Sequence, residues 1–568
     1  MKNFVLRNLN ILLVLGVILF INIIAHYYHA YLDLTEEKRF TLTQSTINNL
    51  NKLNNTVHFQ VLLDGEFPSG FKKLQQSTKD ILNQFATESP YIEFTFENPN
   101  EGTIEEINTR RKALTKDGLI PTNLMVKSGS ENKEQIIFPY AIANLGEKKI
   151  AINLLEEQRI DMDQDEDLGN SISLLEYKLA NGIQKALQTS KKNVLISTGH
   201  GELSDDQTQA LSTLLYQFFN VGKINLDTVP IIKKEADLLI IPKPSQPFSE
   251  KNKFTLDQYV MNGGKIIFLL DRISMSIDSM NTRKEYIPEP LDLNLEDLLF
   301  KYGFRIEPGF VLDLECTRIP QVIGQQGNKP QIELFPWYYH PLIASYSNHP
   351  IVANIDRVSS EFPSFIDTLK TKSSSRKTIL LNSSRYSRYQ LAPMKIDFEI
   401  LRYTPQPEKF NKPFLPIAVL AEGEFSSLYE NRVDENMLIA MRSANLEYKN
   451  KSTNTSIMVV ADGDIVKNLF DKESGKFAPL GYHKFEKRTF NGNKDFILNS
   501  IEYMINPDNV LLARSKEIKL RMLDKVKAEK EVNYWQFLNI GAPLIGLLLF
   551  GIFNFQWRKK KYIKAQAA

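Results

Sequence analysis

The sequence predicts an α/β protein in which two transmembrane helices flank a large extracytoplasmic body, itself holding a small thioredoxin-like α/β domain and an open parallel-sheet α/β domain. Three observations predict it. An apolar segment stands near each end of the 568-residue chain, and a dense positive cluster follows the second of them. Between the two, short apolar runs alternate with amphipathic stretches of helical period.

The first anchor covers residues 1–30, where Leu9 to Ala25 is apolar apart from Asn10 and Asn22, with Lys2 and Arg7 before it and Tyr27, Tyr28 and Tyr31 after it. A cleaved signal peptide begins in the same way. The length of the apolar stretch, and the lack of a convincing small-x-small cleavage site before His26, favour an uncleaved span. The second anchor covers residues 534–557, from Tyr534 and Trp535 to Trp557. Its apolar run of about twenty residues is long enough to cross a hydrocarbon core of about 30 Å. Arg558, Lys559, Lys560 and Lys561 determine the topology, because positive residues beside a span resist translocation and keep the 558–568 tail in the cytoplasm. The sparse charge of Lys2 and Arg7 places the N-terminus on the same side. The expectation is a two-pass protein of the cytoplasmic (inner) membrane, both termini cytoplasmic and the main body, Tyr31 to Asn533, periplasmic.

A composition of 24% charged and 42% hydrophobic residues is ordinary for globular protein. The roughly 500 residues between the anchors suggest about three domains. A net charge of +2 gives no strong field pointing to nucleic acid. The single cysteine, Cys316, excludes an intramolecular disulfide, so the exported body must rely on core packing.

Residues 31–155 read as the small α/β domain. A helix near Gln44 to Lys52 precedes a strand at Val57 to Leu63, a helix over Phe71 to Phe85 and a strand at Ile92 to Phe96. Strands at Asn123 to Val126, Gln135 to Phe138 and Lys149 to Leu154 follow, and the order β-α-β-α-β-β gives the thioredoxin-like outline. Without Cys-x-x-Cys, redox chemistry of that kind is excluded. Residues 156–190 read as an acidic linker and a helix. Asp161, Asp163 and Asp165 have the spacing of calcium-loop ligands, but Glu166 stands where the loop needs glycine and Ile172 where it needs a carboxylate, so a solvated linker is expected. Ser173 and Glu176 fit a capping box for the helix bearing Leu175, Leu179, Ile183 and Leu187.

The larger α/β domain begins at 191–315. Its first strand stops at Gly199-His200-Gly201-Glu202, and Ser204 with Gln207 caps the next helix. Asp237 to Pro242 is a strand, Ser249 to Met261 a helix stopped by Asn262-Gly-Gly, and Lys265 to Asp271 the next strand. A helix over Asn294 to Tyr302 and a strand over Phe304 to Leu312 follow. Residues 316–413 are rich in proline and aromatics and read as an inserted or covering subdomain. The sheet resumes over 414–510 with strands at Leu415 to Ala421 and Ser456 to Val460, the turn Asp462-Gly463-Asp464, and a helix from Gly492. Alternating strands and helices imply a parallel sheet covered on both faces. Residues 511–533 form a connector rich in helix formers; its 516–531 part reads as either helix or strand.

Leu32-Asp-Leu-Thr-Glu-Glu-Lys-Arg-Phe-Thr-Leu-Thr, Gly199-His-Gly-Glu, Leu256-Asp-Gln-Tyr-Val-Met-Asn-Gly-Gly-Lys, Ala421-Glu-Gly-Glu-Phe-Ser-Ser, Asp462-Gly-Asp and Gly492-Asn-Lys-Asp-Phe-Ile-Leu-Asn carry a resemblance across nearly the whole chain. The chain resembles the GldG family, the non-ATPase membrane component of the gliding-motility ABC transporter. That resemblance implies a GldF-type permease and a GldA-type ATPase as partners, a role in gliding, and a middle domain similar to those of intraflagellar-transport proteins and distantly amidotransferase-like. It identifies no catalytic residue and implies no cofactor.

No Gly-x-x-x-x-Gly-Lys-Ser/Thr loop, no His-Glu-x-x-His and no Gly-x-Ser-x-Gly elbow occurs, so ATP hydrolysis, a zinc site and a hydrolase nucleophile are not expected. His200, Glu202, Asp271, Asp462 and Asp464 all follow the C-terminal ends of predicted strands, the edge where open parallel sheets bind ligands. They are candidate ligand-binding residues; carboxylates there also cap helices and glycines serve turns, which accounts for each singly. Two functions follow: a non-catalytic coupling subunit of an ABC transporter bound to the lipid bilayer, or a membrane-tethered receptor or enzyme using the crevice around His200.

Overall fold

The computed structural model describes residues 41–515, with breaks at 129–130, 157–163, 189, 234, 282–285, 328, 372–373, 404, 431, 434, 444–446 and 507–509, then residues 531–566, and residues 16, 17, 19 and 20 of the first apolar segment. Apart from those four residues the expected N-terminal anchor lies outside the described residues, as do Asp161 and Asp163 and residues 516–530 of the connector.

The first sheet is built from β1 (Val57–Val61), β2 (Ile92–Phe96), β5 (Tyr140–Leu145) and β6 (Lys148–Asn153), in the order β2-β1-β5-β6. β1 and β2 are parallel, and β5 and β6 add antiparallel strands. Helix α1 (Gln44–Leu50) precedes β1, α2 (Ser69–Glu88) joins β1 to β2, and α3 (Ile104–Lys116) follows β2. Val57, Phe59 and Val61 alternate inward along β1, and Leu74, Leu82 and Phe85 bury one face of α2, as periods of two and 3.6 require. The strands expected at Asn123 and Gln135 pair instead with each other, as the hairpin of β3 (Thr122–Ser128) and β4 (Glu131–Ile137). The strand beside β1 is β5, which begins directly after Pro139 and is set off from β4 by no turn signal but that proline.

The expected acidic linker is helical where it is described: α4 (Gln164–Ser173) leads into α5 (Leu175–Leu187). The capping box at Ser173 and Glu176 does not form. Ser173 lies inside α4, and its Oγ donates to the Asn170 carbonyl at 2.7 Å. Buried Glu176 accepts from the Thr43 backbone N–H at 2.7 Å and Thr46 Oγ1 at 2.9 Å, and so serves the N-terminus of α1 instead.

The main sheet has seven strands. In chain order they are β7 (Asn193–Thr198), β8 (Asn220–Asn225), β9 (Leu238–Pro242), β10 (Ile266–Leu269), β17 (Arg376–Asn382), β19 (Pro416–Gly423) and β20 (Thr455–Val460), arranged β17-β19-β20-β10-β9-β7-β8. The five strands from β20 to β8 are parallel; β19 is antiparallel to β20, and β17 to β19. The purely parallel sheet of the sequence reading is thus a mixed one. An apolar run has no direction, so β19 reads the same either way up. The central strands are continuous apolar runs, Leu238 to Ile241, Ile266 to Leu269 and Ile457 to Val460, all inaccessible to solvent, as strands covered on both faces must be. Among the covering helices are α6 (Gln209–Tyr216), α7 (Glu250–Met261), capped by the Ser249 side chain, and α11 (Gly492–Ile505); short α8 (Ile277–Asn281), α9 (Glu296–Tyr302) and α10 (Glu435–Ser443) complete the set between them.

The irregular hundred residues are not merely a cover, since β17 arises within them and forms an edge of the main sheet. The single strand expected over Phe304 to Leu312 is broken by Pro308 into β11 (Phe304–Glu307) and β12 (Gly309–Asp313), which pair with β16 (Phe365–Thr368) and β18 (Ser387–Leu391). A long hairpin, β13 (Cys316–Gln326) and β14 (Lys329–Ile343), ends against two-residue β15 (Val358–Ser359). At its base Trp337, Tyr338 and Tyr339 enter an aromatic core with Phe310 and Phe362.

Residues 518–568 form a separate unit. Here α12 (Val532–Gln536) runs through a π-helical turn, Phe537–Gly541, into α13 (Ala542–Gln566). The wide turn falls just before Pro543, whose missing N–H interrupts the regular ladder. Tyr534–Lys559 is long and apolar enough to cross a membrane, the one such helix among the described residues.

Candidate functional site

Strands β7, β9, β10 and β20 end at one edge of the main sheet, so the residues that follow them are neighbours there: Gly199 to Glu202, Lys243, Asp271, and Asp462 to Asp464. They form two groups, and the loop 243–246 touches both.

The first group centres on His200, which is 2% exposed and stacked on Phe248 with ring centroids 3.8 Å apart. Gly199 and Gly201, at φ +111° and +65°, supply the left-handed conformations that fold the turn back. The His200 carbonyl accepts from the N–H groups of Ser245 and Gln246, both at 2.9 Å. Asn252 Nδ2, in the first turn of α7, donates to His200 Nε2 at 2.7 Å and to Asp227 at 2.7 Å. An amide nitrogen only donates, so Nε2 accepts and the ring proton sits on Nδ1, 3.8 Å from Glu202 Oε1. Glu202 accepts from Ser197 Oγ at 2.9 Å and from the His200 N–H at 2.6 Å. Burial pushes the Glu202 carboxyl up, but the hydrogen bonds from His200, the backbone and Ser197 outweigh it and leave the group below its ordinary value. His200 is therefore a clamp between the turn after β7, the loop after β9 and the start of α7.

The second group is an ion-pair cluster. Asp271, Asp462 and Asp464 offer carboxylate oxygens all within 4.8 Å of one another. Lys243 Nζ bonds Asp271 at 2.9 Å and also Asp464, while Lys467 Nζ bonds the other Asp464 oxygen at 3.0 Å. Asp271 accepts from the Gly463 N–H at 2.7 Å. Asp462 accepts from the N–H groups of Asp464 at 2.7 Å and Glu361 at 3.0 Å, and from Ser360 Oγ. Burial pushes Asp464 up, but Lys243 and Lys467 hold it down at about 2. Burial, with Asp464 and Asp271 beside it, pushes Asp462 well above the carboxylate range. Lys243 has φ +52°, unusual for a residue with a Cβ, and a Cβ at Gly463 would lie 2.4 Å from that of Lys243. The carboxylates could in principle hold a cation, but two lysine ammoniums and four hydrogen-bond donors already take up their oxygens.

The structure thus brings Asp271, Asp462 and Asp464 together and sets His200 and Glu202 in a neighbouring group. Lys243, Lys467, Ser360, Glu361, Asp227 and Asn252 were missed. Lys243 had a signal, since it follows β9 just as Asp271 follows β10, and Lys467 lies three residues beyond Asp464. Ser360 and Glu361 come from the irregular region and had none.

Beside Asp271 there is a recess of about 40 Å³, lined also by Arg272, Glu296 and Phe304, room for little more than a water molecule. A cavity of about 150 Å³, bordered by Asp237, Tyr259 and Lys265, lies at the opposite end of the parallel strands. Burial pushes the Cys316 thiol up to about 12, with Asp313 and Glu486 adding to it, so it is not a nucleophile near neutral pH.

Fold and site together define a mixed α/β protein whose ligand edge is closed by its own ion pairs, with one membrane-length helix among the described residues. The chain belongs to the family described as "ABC-type uncharacterized transport system", auxiliary components of ABC-type transporters, which matches residues 191–500. A domain of unknown function matches residues 36–144. A protein of Borreliella burgdorferi, itself described as uncharacterized, is 22% identical over 458 residues, 79% of this chain and 83% of that protein. Among solved structures, the mmIFT52 N-terminal domain aligns at 11% identity and TM-score 0.31, over 56% of this chain and 97% of that one. A ThuA-like protein from Parabacteroides merdae aligns at 10% identity and TM-score 0.26, over 56% and 92%. Likenesses at these scores carry no argument about fold or function.

Proposed function

We propose that this chain is the non-catalytic membrane subunit of a gliding-motility-associated ABC transporter, working with a GldF-type permease and a GldA-type ATPase. The observation that carries this reading is the family match over residues 191–500, the whole of the main sheet. The closed sheet edge supports it, because the carboxylate oxygens of Glu202, Asp271, Asp462 and Asp464 are engaged within the protein, and His200 is buried against Phe248 with only its Nδ1 lacking a hydrogen-bond partner. The thioredoxin-like strand order of the first sheet and the amidotransferase-like form of the second then serve as scaffold without chemistry. In this reading the body lies in the periplasm, anchored in the inner membrane by two spans with both termini cytoplasmic, and couples the ATPase and permease to extracytoplasmic machinery. The positive cluster Arg558 to Lys561 beside the membrane-length helix supports the orientation.

Purification of the full chain in mild detergent, with the co-purifying proteins identified by mass spectrometry, tests the proposal. An ATPase and a polytopic permease in fixed ratio to the chain are expected. Recovery without them, together with a small molecule held near His200 or a turnover abolished by His200→Ala, would establish the receptor or enzyme reading in its place.

A further inference from the structure

Strand β8 is an edge of the main sheet and pairs there with β7. The Asn220 N–H donates to the Lys192 carbonyl at 2.9 Å and the Leu226 N–H to the Thr198 carbonyl at 3.3 Å, so the even-numbered residues of β8 face β7. The backbone N–H and C=O groups of Val221 and Lys223 therefore point away from the sheet. Beyond them the Asn225 carbonyl accepts from the N–H groups of Thr228 and Val229, which ends the open edge. On the face that carries Leu195, Gly222 and Ile224, an open groove of about 430 Å³ runs beside this edge. Those three residues form its floor, and Val229, Ile231 and Ala236 form its wall. Gly222 keeps the floor low, since a Cβ there would lie 3.0 Å from Leu195 Cδ2. The volume falls within the range of roughly 300–1,000 Å³ usual for ligand pockets.

Outward amides beside an apolar groove are what an added strand uses: its main chain takes the hydrogen bonds, and alternate side chains enter the groove. The residue opposite Gly222 points into the groove, because cross-strand neighbours share a face. A second copy of this chain fits poorly in either way it could pair. Through β8 itself, a two-fold axis at Gly222 sets Val221 against Lys223 and glycine against glycine, which leaves the groove empty. The other edge strand of the sheet, β17, has register irregularities at Ile379/Leu381 and Leu381/Asn382 that blunt it as a template. It also opens with Arg376 and Lys377, like in charge to Lys223 and to Lys233 on the groove wall. The β8 sequence, by contrast, has no proline and one charge. By alternation the Lys223 side chain lies on the face away from the groove, where its ammonium pairs with Asp205 and stays 43% exposed. A carboxylate on an added strand opposite Lys223 would share that ammonium, as opposite charges across a sheet do. Groove and charge together ask for a large aliphatic side chain at one position and a carboxylate at its neighbour.

From this we infer that β8 is a peptide-docking edge: it takes an extended segment of another protein as an added antiparallel strand, an aliphatic side chain in the groove over Gly222 and an acidic one beside Lys223. The probe is the peptide acetyl-Thr-Glu-Leu-Val-Thr-amide, whose leucine falls opposite Gly222 when its glutamate falls opposite Lys223. Amide hydrogen exchange over residues 219–226 of the full chain in detergent, followed by mass spectrometry, tests the docking. The outward amides of Val221 and Lys223 exchange fast in the free chain and are expected to slow at least about tenfold with the probe at millimolar concentration. Replacing the probe's leucine by glycine is expected to remove the effect. Two variants of the chain separate groove from edge. Gly222→Val fills the groove at a position where the one close neighbour is the flexible end of Leu195, and Lys223→Pro deletes an outward N–H without touching the ladder to β7. Each is expected to weaken probe binding about tenfold or more. No slowing with the probe, slowing that survives both variants, or equal slowing by the glycine probe overturns the assignment. Protection of the same amides that grows with the concentration of the chain alone marks a second copy as the occupant and overturns it as well. The inference stands apart from the transporter reading, which co-purification decides independently.

Discussion

Replacing Lys243 by methionine removes the ammonium that joins Asp271 to Asp464 while keeping most of the side-chain volume. Breaking a buried ion pair by deleting one partner costs about 3–5 kcal/mol, because the other charge is left uncompensated. Two observations place this site at the lower end. The Lys243 side chain keeps 21% of its exposure, and Lys467 still bonds Asp464 at 3.0 Å. A loss of about 3 kcal/mol at roughly 2 °C per kcal/mol for a large domain lowers the Tm by about 6 °C. The pH dependence follows in sign. In the wild type Asp464 is held at about 2, below its unfolded value, so its contribution is present above that unfolded value and is lost as pH falls through about 2. Without Lys243 the carboxyls of Asp464 and Asp271 rise and bind protons in the folded state, so the variant's deficit is largest at pH 8 and shrinks toward pH 5. Thermal unfolding of the detergent-solubilised chain, followed by circular dichroism at the two pH values, measures both effects. A variant as stable as the wild type at pH 8, yet inactive in cells, would falsify the structural role of the cluster and assign it to a ligand.

Three further outcomes are expected. His200→Ala and Glu202→Ala each remove a partner from buried hydrogen bonds and should cost about 1–3 kcal/mol, with the Glu202 contribution present above its unfolded pKa and fading as pH falls through its lowered folded one. Urea unfolding of the two variants checks this, and a variant that folds and assembles normally but has no function points to a ligand site. A reporter active only outside the cytoplasm should be silent when fused after Ala568 and active when inserted near Gly129; the opposite pattern overturns the topology. A Gly-Ser stretch inserted between Asp524 and Glu531, in a connector with neither glycine nor proline from Asp508 to Ile540, should leave partner binding intact and abolish motility or transport if force passes through it. Wild-type activity with assembly confirmed rules that route out.

Local physics made much of this protein legible in its sequence. The central strands are unbroken apolar runs, and a run covered on both faces cannot be anything milder; the cap at Ser249 and the membrane-length helix ending at the basic cluster are equally local. The same grammar put Asp271, Asp462 and Asp464 at one sheet edge, since each follows a strand end. Tertiary structure alone decided what those carboxylates meet. Lys243 neutralises two of them because β9 lies beside β10 in the sheet, and Ser360 and Glu361 reach Asp462 from about a hundred residues away. Glu176, with ideal spacing for its own helix, instead accepts from the Thr43 N–H and Thr46 Oγ1, because packing sets the N-terminus of α1 against it. Strand direction was likewise beyond the sequence: apolar burial depends on which side chains alternate or cluster, and that pattern is the same for β19 run forward or backward, whereas its antiparallel place beside β20 depends on the path of the chain through the irregular hundred residues before it.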